Sequence, residues 1–163
     1  FLGLVHRLDR PAAGIVLFGK TSKGASRLSE QFREGTIKKI YTALVIGRPE
    51  KKKDTLIHYL KKDESRKAAI ISDESKPDYQ KAVLNYEVIE EGENSKLKVE
   101  LITGRFHQIR AQLSHIGHPI VGDIKYHAPE RLPDLSIKLC ASEIEFKLAT
   151  QEEMKHLQVD CEF

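Results

Sequence analysis

Residues 6–15 read His6-Arg7-Leu8-Asp9-Arg10-Pro11-Ala12-Ala13-Gly14-Ile15. A carboxylate stands between two arginines, a histidine precedes it, and a Pro-to-Gly turn follows. Apolar runs flank the cluster, Phe1 to Val5 before it and Ile15 to Phe18 after it. Short apolar runs bounded by Pro and Gly read as strands, so the charged cluster lies on a connection held by rigid elements. Binding and catalytic groups concentrate on such connections. The plain alternative is a surface pair of Asp9 with Arg7 or Arg10, which contributes little to stability.

Working outward, Gly14–Gly19 reads as a strand and Ser22–Arg33 as a helix. Thr21 is its N-cap, Ala25, Leu28 and Phe32 form its apolar stripe, and Gly35 ends it. Lys38–Gly47 is rich in Ile, Tyr, Thr and Val and apolar on both faces, which predicts a central strand. Shorter strands follow at Thr55–Leu60 and Lys67–Ser72, then a hairpin of Tyr79–Glu90 with Ser95–Thr103. A helix is predicted over Arg105–His115, ended by Gly117, then an irregular stretch over Val121–Pro133. Ile137–Phe146 reads as a strand and Gln151–His156 as a short helix. Runs of strands with few helices predict an α+β fold with a largely antiparallel mixed sheet.

The chain has 163 residues, 40% hydrophobic and 31% charged, a size that suits a single domain. It contains no apolar run long enough to span a membrane, and the apolar start is too short for a signal peptide. Its two cysteines, Cys140 and Cys161, have no short spacing and are expected to be reduced thiols, as in a cytoplasmic protein. Residues 1–48 hold nine Lys/Arg against three acids, a net of +6, so with +3 overall the remainder carries −3. A basic first third around the polar loop points to a polyanion, with nucleic acid first. The chain opens directly on a strand without an initiator Met, which suggests a fragment lacking upstream strands.

The second informative stretch is Thr103-Gly104-Arg105-Phe106-His107-Gln108-Ile109-Arg110-Ala111-Gln112-Leu113. Phe106, Ile109, Leu113 and Ile116 form an apolar stripe at helical spacing. At about 100° per residue Arg110 falls on or beside that stripe, with His107 and Gln112 off it. A core-facing guanidinium needs a carboxylate partner, and Asp9 is the expected one, within hydrogen-bond range. Alternatively Arg110 reaches past its neighbours to water. An arginine keeps a carboxylate ionised and fixes the direction of its oxygens, as a nucleophile requires; it would serve a general acid poorly.

The stretches HRLDRPAAGIVLFGKT (6–21), KKIYTALVIG (38–47) and ITGRFHQIRAQLSHIGHPIVGDIKY (102–126) resemble the RluA-type RNA pseudouridine synthases. The resemblance covers nearly the whole chain, weakest after Ala141. It implies a pseudouridine synthase-like catalytic domain over 1–163 that isomerises uridines in structured ribosomal or transfer RNA. It implies that Asp9 is catalytic, that Tyr41 is the site tyrosine, and that Arg110 pairs with the aspartate. Leu139 would be the small apolar contact beneath the base, and Arg7 the residue that helps displace the flipped nucleotide. His6, Arg10 and His107 complete the expected substrate-binding set. Base flipping exposes a glycosidic bond otherwise hidden in folded RNA, basic residues hold phosphates, and Tyr41 can stack on a pyrimidine. Without the resemblance, Tyr41 reads as a core tyrosine, because Ala43 and Val45 share its face.

The usual Arg-x-Thr-Ser-Gly turn of the family is here Arg10-Pro11-Ala12-Ala13-Gly14, so two hydroxyls are lost. No cofactor is expected, since isomerisation neither hydrolyses nor oxidises anything. No metal is expected either: the spacing of His107, His115 and His118 fits no familiar zinc pattern. His58, His127 and His156 read as surface residues, and Asp123 as a turn residue that caps or bridges backbone. A monomer in the cytoplasm is expected. Two other functions compete. An inactive RNA-binding module of the same fold would not need Asp9, Tyr41 and Arg110 together. A glycoside-processing enzyme would want a second carboxylate near Asp9, and the first 53 residues offer only Glu30, Glu34 and Glu50.

Overall fold

The structure is a computed structural model that describes residues 1–148 and 152–163. Its strands are β1 (Gly3–Leu4), β2 (Ala13–Gly14), β3 (Phe18–Gly19), β4 (Lys38–Ile46), β5 (Lys53–Asp63), β6 (Ala68–Ser72), β7 (Gln80–Glu90), β8 (Asn94–Leu101), β9 (Leu139–Lys147) and β10 (Met154–Gln158). Two α-helices accompany them, α1 (Ser22–Glu34) and α2 (Gln108–His115), with one 3-10 turn at Ile124–Tyr126. The main sheet runs β10-β9-β4-β8-β7-β5-β6, all antiparallel, and β2 adds a short parallel pairing on β9. The α+β expectation holds, and β4 is central, between β9 and β8.

Local chemistry explains most element ends. Thr21 caps α1 by accepting from the Gly24 amide at 3.0 Å, and Gly35 ends it in the left-handed region at φ 70°. The main core lies between sheet and α2, with Val45, Leu84, Leu97, Val99, Leu113 and Ile120 fully buried. A second cluster packs Leu28 of α1 against Leu17, Ile37, Ile144 and Phe146.

Four expectations change. The strand predicted over Gly14–Gly19 divides into β2 and β3, because Ala13 and Gly14 pair with β9 while Phe18 and Gly19 pair with β1. Helix α2 begins at Gln108 rather than Arg105, because His107 takes a left-handed conformation at φ 52°. Of the helix predicted over Gln151–His156, Gln151 lies outside the described residues, and Met154–His156 belong to β10. That strand satisfies its backbone on the edge of β9, with Met154 opposite Lys147. Cys140 and Cys161 are not free thiols but a disulfide, with Cα atoms 6.2 Å apart. The chain after β10 continues along β9 in the same antiparallel register, where the Val159 amide donates to the Ser142 carbonyl, and this register brings Cys161 opposite Cys140.

Candidate active site

A cleft of about 480 Å³ opens where the 6–12 loop, the end of α1, β4 and the start of α2 converge. Asp9, Tyr41, Arg110, Leu139, His6, Arg7 and His107 all line it. Arg10 does not; it is exposed beside the turn. That turn is closed by the Ala12 amide donating to the Asp9 carbonyl at 2.9 Å. Gly14, at φ 122°, lies so close to β9 that a Cβ would overlap the Ala141 backbone. The loss of the two hydroxyls therefore leaves the loop anchored through backbone contacts.

Arg110 is 4% exposed, and its guanidinium meets two carboxylates. Its Nη1 lies 3.4 Å from Asp9 Oδ2, the expected pair. The tighter partner is Asp123, 1% exposed, which accepts from Nε at 2.7 Å and from Nη2 at 2.9 Å. Burial disfavours the charge on Arg110, but the Asp123 hydrogen bonds and the charges of Asp123 and Asp9 outweigh it and push the pKa up. Asp123 thus holds the arginine in a forked bond, which leaves Nη1 for Asp9. The guanidinium also sits 4.9 Å from the centre of the Tyr126 ring. A turn residue on sequence grounds, Asp123 is the buried anchor of the site.

His107 extends this network. The Tyr126 hydroxyl accepts from the Ala69 amide at 2.7 Å and lies 2.7 Å from His107 Nδ1. On the other edge of the ring, His107 Nε2 lies 4.0 Å from Asp9 Oδ1. Burial, first, and Arg110 nearby lower the His107 pKa to about 4. Burial pushes Tyr126 up to about 12, so its phenol stays protonated. The start of α2 is braced by Gln108: its Oε1 accepts from Thr103 Oγ1 and the Arg105 amide, and its Nε2 donates to the Val83 carbonyl.

Tyr41 and Leu139 stand on neighbouring strands, and a register shift between Ile40 and Tyr41 opposite β9 lies beside them. Such irregularities re-aim side chains. The Tyr41 ring faces both core and cleft, so both of its sequence readings describe it. Burial, with Asp9 adding to it, pushes its phenol up to about 12. His6 uses Nε2 to accept from the Leu17 amide at 2.9 Å and stacks on Phe32 at 4.4 Å. Its pKa falls to about 4, chiefly through burial and secondly through Lys39. His6 therefore orders the loop while presenting a ring edge to the cleft. Arg7 is exposed at the rim.

Sequence reasoning missed three groups: Asp123, Tyr126 and Lys39. Lys39 lines the cleft, and burial lowers its pKa. The sequence did contain a signal for it, because Lys39 shares the inward face of β4 with Tyr41. His58, expected at the surface, is only 8% exposed, and Gln112, expected off the apolar stripe, is fully buried against it.

Comparison with known proteins shows the family and the fold. A family model described as RNA pseudouridylate synthase matches residues 1–115. The chain belongs to the RNA pseudouridylate synthase family. It is 39% identical over 127 residues to an uncharacterized RNA pseudouridine synthase of Chloroflexus aurantiacus, covering 76% of this chain and 38% of that one. It is 37% identical over 127 residues to ribosomal large subunit pseudouridine synthase C of Vibrio parahaemolyticus, covering 77% and 39%. It is 39% identical over 139 residues to the dual-specificity RNA pseudouridine synthase RluA of Pasteurella multocida, covering 83% and 61%. The chain thus spans less than two thirds of the length of these relatives. Human RNA pseudouridylate synthase domain containing 1 superposes with a TM-score of 0.83 at 23% identity, covering 98% of this chain and 69% of that one. Domain containing 4 gives 0.82 at 22%, covering 99% and 72%. At that identity the likeness speaks for the fold. Among the described residues, no helix is long and apolar enough to cross a membrane.

Proposed function

We propose that this protein isomerises uridine to pseudouridine in structured RNA, with Asp9 as the catalytic group. The observation that carries the reading is the Asp9 carboxylate, which lies in the cleft with one oxygen 3.4 Å from a guanidinium that Asp123 already clamps. An ionised, oriented carboxylate is what opening a glycosidic bond asks of a protein. The N1–C1′ bond breaks, the base turns, and a C5–C1′ bond forms. C5 gives up a proton and N1 gains one, so the reaction balances without oxidant, reductant or water.

The other residues bind and position. The target nucleotide must leave its stack to enter the cleft. Arg7 at the rim helps displace it and, with Arg10 and the basic first third, holds phosphates. Tyr41 stacks on the base, and Leu139 supports it from below. His6 orders the loop at the edge of the substrate site. His107 turns its Nε2 edge toward Asp9 and the substrate. One relative is named for the large ribosomal subunit and another for dual specificity toward RNA, which supports a structured RNA, ribosomal RNA first, as substrate. The catalytic unit is one domain over 1–163, whose cleft draws its lining from the first loop, α1, β4, α2 and β9 of this chain.

Incubating the protein with ribosomal and transfer RNA and counting pseudouridine by mass spectrometry tests this reading. Wild type should convert specific uridines. Asp9→Asn should lose activity by about a thousandfold or more while keeping its RNA affinity and melting temperature. Conversion at the wild-type rate by Asp9→Asn would overturn the proposal.

A further inference from the structure

Outside the cleft, β5, the chain just after β6 and the C-terminal end of α2 converge on a second polar cluster. His58, Asp73 and His115 each bring one ligand atom to it, all within 4.8 Å of one another. None of the three lines the cleft, and the reaction proposed above does not use them. We propose that His58, Asp73 and His115 form a site for a divalent ion of the zinc type, which ties α2 to the sheet.

The donor set fits. Two imidazoles and one carboxylate suit zinc and similar ions of intermediate softness. A tetrahedral ion with bonds of about 2.0–2.2 Å sets its ligand atoms roughly 3.2–3.6 Å apart. His115 Nε2 lies 2.8 Å from Asp73 Oδ1, and His58 Nε2 lies 3.7 Å from the same oxygen. These separations bracket the required one, so small side-chain movements admit an ion. Two neutral imidazoles and one carboxylate leave a divalent ion at +1, without excess negative charge. The Asp73 side chain is 75% exposed, which gives an entry path and room for a water ligand. His115 is the last residue of α2, where unpaired carbonyls favour a cation.

Binding an ion through His58 Nε2 requires a change in the support behind it. A ligating imidazole donates its second N–H to a buried acceptor. His58 Nδ1 lies 2.9 Å from Gln112 Nε2, and Gln112 Oε1 is the one buried side-chain polar atom with no partner among the described residues. A half-turn of the Gln112 amide presents that oxygen to a proton on Nδ1, which frees Nε2 for the ion. The turn gives up two long bonds, at 3.3 Å each, to the Leu56 and Ala82 carbonyls and sets Oε1 against those two oxygens, a cost that the metal–ligand bonds must exceed. The spacing of His107, His115 and His118 gave no hint of this trio, because two of its members come from other elements. Without an ion, the cluster is a partly exposed His–Asp pairing of little energetic consequence.

The test is titration of the EDTA-treated 163-residue protein with zinc chloride by calorimetry and by thermal melting. Binding of one equivalent is expected, with a melting temperature raised by about 5–10 °C at a hundredfold excess over Kd. Asp73→Ala and His115→Gln change partly exposed side chains and should each weaken zinc binding at least tenfold, while far-ultraviolet dichroism stays native. Absence of stoichiometric zinc binding would overturn the proposal. So would binding that both variants leave unchanged.

Discussion

At the scale of single residues, the site turns on how one guanidinium is shared. Arg110 is buried with Asp123 and reaches Asp9 with its remaining nitrogen. Asp123→Ala should therefore do more harm than a surface carboxylate deletion. It leaves Arg110 desolvated without its closest partner, a loss of about 3–5 kcal/mol when a buried pair is broken. Urea unfolding should show this, and Arg110 should drift toward Asp9 with loss of activity. A stability change below about 1 kcal/mol would deny Asp123 its anchoring role.

Two histidines give a pH dependence whose sign can be worked out. His6 and His107 both fall to about 4 in the folded protein, mainly through burial, against 6.5 unfolded. Between these values the unfolded chain binds protons that the folded chain refuses. Their stabilising contribution is full above about pH 6.5 and is lost as pH falls toward 4. Denaturant midpoints at pH 7.5, 5.5 and 4.5 should decline over this window, and His6→Gln should flatten the decline. An unchanged slope in that variant would remove His6 from the account.

At the scale of elements, the loop bearing Asp9 is held by the approach of Gly14 to β9. Gly14→Ala forces a side chain into the Ala141 backbone at a positive φ. It should cost at least about 2 kcal/mol and lower activity more than a substitution elsewhere in the sheet. Calorimetric melting together with a uridine conversion assay would check both effects. Element boundaries show what periodicity can and cannot say. The α1 cap at Thr21 and stop at Gly35 were legible because capping is local chemistry. The start of α2 was not, because His107 adopts a left-handed turn to meet Tyr126, 19 positions further on. Gln112 misled for a related reason: its position off the stripe says nothing of the carbonyls of Leu56 and Ala82 that surround it.

At the scale of the whole molecule, the disulfide is the clearest departure from the sequence reading. Cys140 and Cys161 close a loop with a sequence separation of 21 over the β9–β10 edge. Chain-entropy arguments give such a loop about 3 kcal/mol. Thiol titration should find no free sulfhydryl in the unreduced protein and two after reduction, with a lower melting temperature in the reduced form. Two free thiols in native, unreduced protein would return the pair to the reduced state that the spacing suggested.

Most of the order of strands and helices up to β9, the central place of β4, the loop bearing Asp9 and the inward turn of Arg110 were legible in the sequence itself. Each follows from patterns a few residues long, or from a charge that periodicity places on a buried face. Tertiary structure alone decided that Asp123 is the closer partner of Arg110, that His58 is buried, and that the two sulfurs meet. These contacts join groups distant along the chain. Which polar group meets a buried charge depends on how packed elements are oriented, and no local repeat encodes that orientation.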